Sequence, residues 1–168
     1  MAIFTTNATA ALKAVGEAYP FAPGGRFLLT ADNHNSVNGI REFARAAGAD
    51  VEYCPLTTPD LRIDAAALTS ALTPSPHAPS HRAPSLFAYP AQSNFSGVKH
   101  SLEWVALAQA HGWDVLLDAA AFVPTNRLDL SVVKPDFVAV SFYKMFGYPT
   151  GVGCLLARAS ALERLQRP

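Results

Sequence analysis

The chain has 168 residues, half of them hydrophobic and 15% charged, which fits one domain with a real core and excludes a disordered chain. Thirteen basic residues balance thirteen acidic ones, so the overall charge offers no basis for a nucleic acid or an anionic membrane as partner. No basic segment precedes an apolar stretch near Met1, no uncharged run reaches membrane-spanning length, and Cys54 and Cys154 are too few for a disulfide framework, so a cytoplasmic setting with two buried, reduced thiols is expected.

Ala2 to Phe4 is predicted as a short strand, Thr5-Thr6-Asn7 as a turn, and Ala8 to Ala18 as a helix with Leu12, Val15 and Tyr19 at helical spacing. A helix start with hydroxyls and free N–H groups suits a phosphate, and it suits equally an ordinary N-cap by Thr6 or Asn7. Pro20 stops this helix, Pro23-Gly24-Gly25 turns the chain, and Arg26 to Thr30 is the next strand. The loop Ala31 to Asn35 places His34 just past that strand and enters one helix, from about Ser36 to Ala47, that turns Val37, Ile40, Phe43 and Ala47 to one face and stops at Gly48. A polar loop histidine is by itself more often solvated than functional. Val51 to Cys54 is a strand, and Asp64 caps a helix from Ala65 to Leu72 with Leu68 and Leu72 inward.

Pro74, Pro76, Pro79 and Pro84 exclude a regular helix or a central strand between Thr73 and Ser85. His77 and His81 in that stretch have no cysteine or acidic ligand beside them, so it reads as a surface loop and no metal is expected. Leu86 to Tyr89 is a strand running into the polar loop Pro90 to Gly97, which holds Asn94. Ser101 opens a helix with Trp104, Leu107, Ala108 and His111 on one stripe, closed by Gly112. Trp113 to Leu117 is a buried strand ending on Asp118, a carboxylate that needs a partner if it is to be buried.

Asp129 to Val133 carries a short helical turn that Pro135 breaks, and Phe137 to Ser141 is a strand delivering Lys144 into a turn rich in glycine, proline and aromatic residues. Apolar surroundings favour a neutral amine, which can form a Schiff base with an aldehyde cofactor; the bland alternative is a lysine whose stem crosses apolar surface while its amine reaches water. Val152 to Ala157 is a strand antiparallel to Phe137–Ser141, because a short turn cannot make a parallel crossover. Opening on a strand and closing within the amphipathic start Ser160 to Leu165, the chain reads as part of something longer.

Alternating strands and helices predict a three-layer α/β/α fold around a mainly parallel sheet, in which ligands gather at the carboxyl ends of the strands. Thr5 to Thr9, His34, Asn94, Asp118 and Lys144 each follow a predicted strand and therefore share that edge. A phosphate cup, a flat ring, an amide, a carboxylate and an amine are the parts needed to hold pyridoxal phosphate.

The stretches IFTTNATAALK, DNHNSVNGIR, YPAQSNFSG, LLDAAAFVPTNRLDLS and DFVAVSFYKMFGYPTGVG, in this order across nearly the whole chain, resemble the molybdenum cofactor sulfurases of the class V aminotransferase and cysteine desulfurase superfamily. The resemblance implies a partial large domain of the fold type I transferases over residues 1–168, without its flanking N-terminal segment and its C-terminal small domain. It implies pyridoxal 5'-phosphate as cofactor, with Lys144 forming the Schiff base and shuttling protons, Asp118 facing the pyridinium nitrogen, and His34 stacked on the ring. Asn94 is implied near the ring hydroxyl, and Thr9, Ser141 and the backbone of Ala8 at the phosphate. Three positions depart from relatives: Asn7 stands for a glycine before the phosphate turn, Ala121 for a glutamine against the ring hydroxyl, and Tyr143 for a phosphate-binding histidine.

By the same resemblance the complete enzyme takes cysteine as substrate, leaves alanine and an enzyme persulfide, passes the sulfur to molybdenum cofactor, and is a homodimer. The family's nucleophilic cysteine and carboxylate-binding arginine fall in later segments, and neither Cys54 nor Cys154 matches the former. Two alternatives stand beside this reading: another class V aminotransferase, cysteine desulfurase or lyase, and a non-catalytic remnant domain.

Overall fold

The computed structural model describes residues 1–74, 83–147 and 151–166. The proline-rich interval with His77 and His81, and Tyr148, Pro149 and Thr150 of the turn after Lys144, lie outside the described residues. In chain order the elements are β1 (Ala2–Thr5), α1 (Ala8–Ala18), β2 (Arg26–Thr30), α2 (Asn35–Asn38), α3 (Ile40–Ala46), β3 (Asp50–Cys54), β4 (Leu56–Thr57) and β5 (Arg62–Ile63). They continue with α4 (Ala65–Leu72), β6 (Leu86–Pro90), α5 (Glu103–Ala110), β7 (Asp114–Asp118), β8 (Phe137–Ser141), α6 (Phe142–Phe146), β9 (Gly153–Ala157) and α7 (Ala159–Leu162).

Seven strands form one sheet in the order β1-β9-β8-β7-β6-β2-β3, while β4 and β5 make a separate small hairpin. From β8 to β3 every neighbouring pair is parallel; β9 is antiparallel to β8, as its short connection requires, and β1 is antiparallel to β9. Two reversals bring β1 back to the direction of β8. The carboxyl ends of β1, β8, β7, β6, β2 and β3 therefore share one edge.

The central strands are hydrophobic throughout because helices cover both faces. Phe27, Leu29, Ala88, Leu116, Phe137 and Leu155 turn to one side, against Leu12 and Val15 of α1 and Ile40 and Ala44 of α3. Leu28, Phe87, Tyr89, Leu117 and Val138 turn to the other, against Leu68 and Leu72 of α4 and Val105 and Ala108 of α5. The chain steps outward from β2 to β3, returns past β2 to β6, and then steps the opposite way to β7 and β8. Right-handed crossovers made in opposite directions put their helices on opposite faces, and the reversal leaves a crevice between the carboxyl ends of β2 and β6.

Several local expectations are corrected. The single helix expected over 36–47 is two pieces joined at Gly39, and Ile40 at the head of the second packs where a Cβ on Gly16 of α1 would lie 2.9 Å from its Cγ1. The short helical turn expected over 129–133 is present: Asp129 O accepts from the Val132 and Val133 N–H groups, and Asp129 Oδ1 accepts from Ser131. On α5 the buried residues are Val105 and Ala108, with Trp104 and Leu107 packed partly buried beside them and His111 at the C-cap. Asp64 caps α4 as expected, its Oδ1 accepting from the Ala66 and Ala67 N–H groups. Among the described residues no helix is long and apolar enough to cross a membrane.

Candidate active site

The strand ends converge on one cleft, and Ala8, Thr9, His34, Asn94, Asp118, Ser141 and Lys144 all line it. Asn7, Ala121 and Tyr143 line it too.

At the β1 end, Asn7 caps α1 by accepting from the Ala10 N–H at 2.8 Å, so of the two expected caps it is Asn7 that serves. Its backbone is extended, with φ −174° and ψ 176°, a conformation open to any residue, so the departure from glycine leaves the turn undistorted. The first N–H groups of a helix have no intrahelical partner, and those of Ala8 and Thr9 belong to residues at the cleft wall. Directly behind this turn lies Gly153 of β9, where a Cβ would stand 2.3 Å from Asn7 C and 2.6 Å from Ala8 N. The sequence signal for Gly153 was only a glycine opening an apolar run. Gly153→Ala is expected to cost about 1–3 kcal/mol by overpacking and to spoil the turn as an anion cup, measured as a lower Tm together with weaker phosphate-ligand binding.

After β2, His34 is exposed and caps α2: its Nδ1 accepts from the Ser36 N–H at 3.2 Å and lies 2.9 Å from Ser36 Oγ. Ser36 Oγ lies in turn 2.7 Å from Thr9 Oγ1. Ser36 therefore links the α1 turn to the imidazole, a role that a serine in a polar loop does not announce. With Nδ1 accepting from a backbone amide, the ring hydrogen of the neutral imidazole sits on Nε2.

After β7, Asp118 is 8% exposed and its Oδ1 accepts from the Ala120 N–H at 3.0 Å. Burial pushes this carboxyl above the usual carboxylate range, against the pull of the Ala120 N–H, Lys144 and His34. At the end of β8, Ser141 is buried and its Oγ has no hydrogen-bond partner among the described residues, an unusual state for a buried hydroxyl. Lys144 stands on α6 rather than in an irregular turn, and the apolar enclosure expected for its amine is not what it meets. The residue is half-buried, and Nζ donates to Asn94 Oδ1 at 2.9 Å.

The cleft thus offers an anion site at one end, from the α1 turn and the orphaned Ser141 hydroxyl. At the other end it offers a buried acid with capacity to accept a proton, and between them an amine within reach of an amide. Both cysteines lie elsewhere in the core: each is free and buried, and burial with Asp64, Glu52 and Asp32 nearby pushes the Cys54 thiol up to about 11. A thiol so disposed is a poor nucleophile at neutral pH.

Residues 1–168 match the family described as aminotransferase class-V. The chain belongs to this family. It is 43% identical to molybdenum cofactor sulfurase of Bos taurus over 96% of its length, and 42% identical to molybdenum cofactor sulfurase 3 of Aedes aegypti over 98%. It spans about a fifth of those proteins, 20% and 21%. Among solved structures it superimposes on the apo cysteine desulfurase of Thermococcus onnurineus NA1 with a TM-score of 0.85 and 23% identity, covering 99% of this chain and 40% of that one. That likeness establishes the fold of this class V domain.

Proposed function

We propose that residues 1–168 are the cofactor-binding domain of a pyridoxal-phosphate enzyme of the molybdenum cofactor sulfurase type. The observation that carries this is the meeting in one cleft of an amine, a buried acid and, beside a helix start, a buried hydroxyl with no partner among the described residues. Bound there, pyridoxal phosphate supplies an aldehyde and a protonated ring that draws electron density from a substrate carbon.

Thr9 Oγ1, Ser141 Oγ and the Ala8 N–H would hold the phosphate, giving the Ser141 hydroxyl a partner that it does not have among the described residues. Asp118 keeps a proton on the ring nitrogen, to which its burial adds strength by excluding water. His34, steadied by Ser36, would flank the ring. Asn94, which holds the Lys144 amine at 2.9 Å, takes the ring hydroxyl once that amine is engaged. Lys144 would be the amine that attaches the cofactor's aldehyde, and its Nζ would give and take a proton during turnover.

For the whole protein the reading is desulfuration of cysteine to alanine, with the sulfur held as an enzyme persulfide and delivered to molybdenum cofactor. Its support is the 43% identity to a molybdenum cofactor sulfurase across 96% of the chain. The sulfur-accepting thiol is then neither Cys54 nor Cys154, since both are buried away from the cleft. A homodimer and a cytoplasmic setting complete the reading. The exposed Phe4 and Phe146, 73% and 78% accessible, offer apolar surface that a second copy can cover.

The test is incubation of the chain with pyridoxal phosphate, a visible spectrum, borohydride reduction and peptide mapping. A new absorption band with the reduced adduct on Lys144 is the expected result. Labelling spread over Lys13, Lys99 and Lys134 overturns the proposal.

A further inference from the structure

We infer that the buried pair Asp32–His100 is a clamp that sets the gap between the two loops carrying His34 and Asn94, so that both are positioning residues for the cleft. His100 Nε2 lies 2.7 Å from Asp32 Oδ2, and each side chain is only 2% exposed. The two residues are 68 positions apart in sequence, and neither lines the cleft. Asp32 stands two residues before His34; His100 closes the loop that holds Asn94.

The pair sits where the sheet stops holding itself together. Pairing of β2 with β6 ends at Leu29 and Ala88, whereas on either side the ladder runs further, with the Ala31 N–H donating to Cys54 O and the Ala91 N–H to Asp118 O. Past Leu29 and Ala88, side chains make the links across this seam. Asn33 Nδ2 donates to Ala88 O at 3.0 Å, and one turn further out Asp32 meets His100. His100 is itself fixed: its N–H donates to Ala91 O at 3.0 Å, and its ring stacks on Trp104 with centroids 5.4 Å apart. Burial pushes the Asp32 carboxyl up, but the His100 hydrogen bond and charge, with the Thr30 and Ser93 hydroxyls, hold it below the usual carboxylate range. Asp32 Oδ1 has no hydrogen-bond partner among the described residues, so the His100 contact through Oδ2 is what ties the carboxylate to the loop that holds Asn94.

A buried polar pair of this kind is a weak source of net stability, since an apolar pair of similar volume often serves as well; what it supplies is one defined arrangement of the groups it joins. The consequence for cofactor binding rests on the proposed function, while the clamp itself rests on the fold. Loosening the seam leaves His34 and Asn94 in place in sequence but not in distance.

The experiment uses the double variant Asp32→Ala/His100→Phe, which leaves no unpaired buried charge, and His100→Gln, which keeps an N–H donor within reach of Asp32. Amide hydrogen exchange of the cofactor-free chain is followed at residues 34–38 and 92–97, with β7 and β8 as the internal reference. Expected is exchange about tenfold faster in both loops of the double variant, no change in β7 and β8, and recovery in His100→Gln. Pyridoxal-phosphate binding should weaken about tenfold in the double variant and recover likewise in His100→Gln. Unchanged loop exchange overturns the clamp, and so does exchange raised evenly through β7 and β8, which marks a stability role alone. Loosened loops in a chain whose unaltered form makes no Lys144 adduct sustain the clamp and sink the proposed function instead.

Discussion

Lys144→Ala is expected to abolish the borohydride-stable adduct with pyridoxal phosphate and to lower the cysteine desulfuration proposed for the full-length protein about 10²–10⁴-fold, the range typical of losing a positioned proton-transfer group. The chain should still fold. Lys144 lies on a five-residue helix at the cleft rim with no buried residue, and among the described residues its amine bonds only the exposed Asn94, so the stability change stays within about 1 kcal/mol. Mapping of the reduced protein separates the outcomes. If the variant carries an adduct at the cleft in wild-type yield, Lys144 is not the attachment point. If desulfuration persists at the wild-type rate, its proton-transfer role falls as well.

Asp118→Asn is expected to act in opposite directions on stability and on binding. In the folded chain burial raises the Asp118 carboxyl above its unfolded value of 3.8, so the protonated form is the one that folding favours. Its contribution is fully present below that unfolded value and is lost as pH rises through the folded value. At neutral pH, above the unfolded value, holding this carboxyl in the core is a cost, and a neutral amide of the same shape relieves it. The cofactor-free variant should therefore melt higher than the parent at pH 7, by about 2–4 °C for each kcal/mol relieved, and the two should converge below about pH 4. Binding runs the other way. Loss of a charge-assisted hydrogen bond of about 1.5–3 kcal/mol to the ring nitrogen weakens pyridoxal-phosphate affinity about 10–150-fold. Melting scans against pH and a fluorescence titration measure the two effects; a lower Tm at pH 7, or unchanged affinity, removes Asp118 from the role assigned to it. A carboxyl that costs stability when buried without a cation beside it would be a strong partner for the cationic ring proposed there.

The sequence carried the order of elements well because each strand and helix is written in its own periodicity. Leu12 and Val15 on α1, Leu68 and Leu72 on α4, and the run Phe137–Ser141 are buried as their spacing required. It also carried the residues of the cleft, since a polar residue directly after a buried strand of a parallel sheet can only stand at the carboxyl edge. Where spacing was ambiguous it misled. Gly39 splits a helix that reads as continuous, the stripe on α5 is rotated by about one residue, and Lys144 rides on a helical turn rather than a loop.

By itself the sequence determined the fold class, the class V family and the set of side chains available for chemistry, because hydrophobic period and strand-end polarity are local properties that survive without knowledge of partners. Only the tertiary structure decided which strands are neighbours: that β1 pairs with β9, that β2 and β6 part at their carboxyl ends, that Gly153 backs the Asn7–Ala8 turn, and that Asp32 finds His100. Those contacts join residues far apart in the chain, and nothing in the spacing of one segment encodes the distance to another. They arise when the two helical layers close on the sheet and bury both partners together.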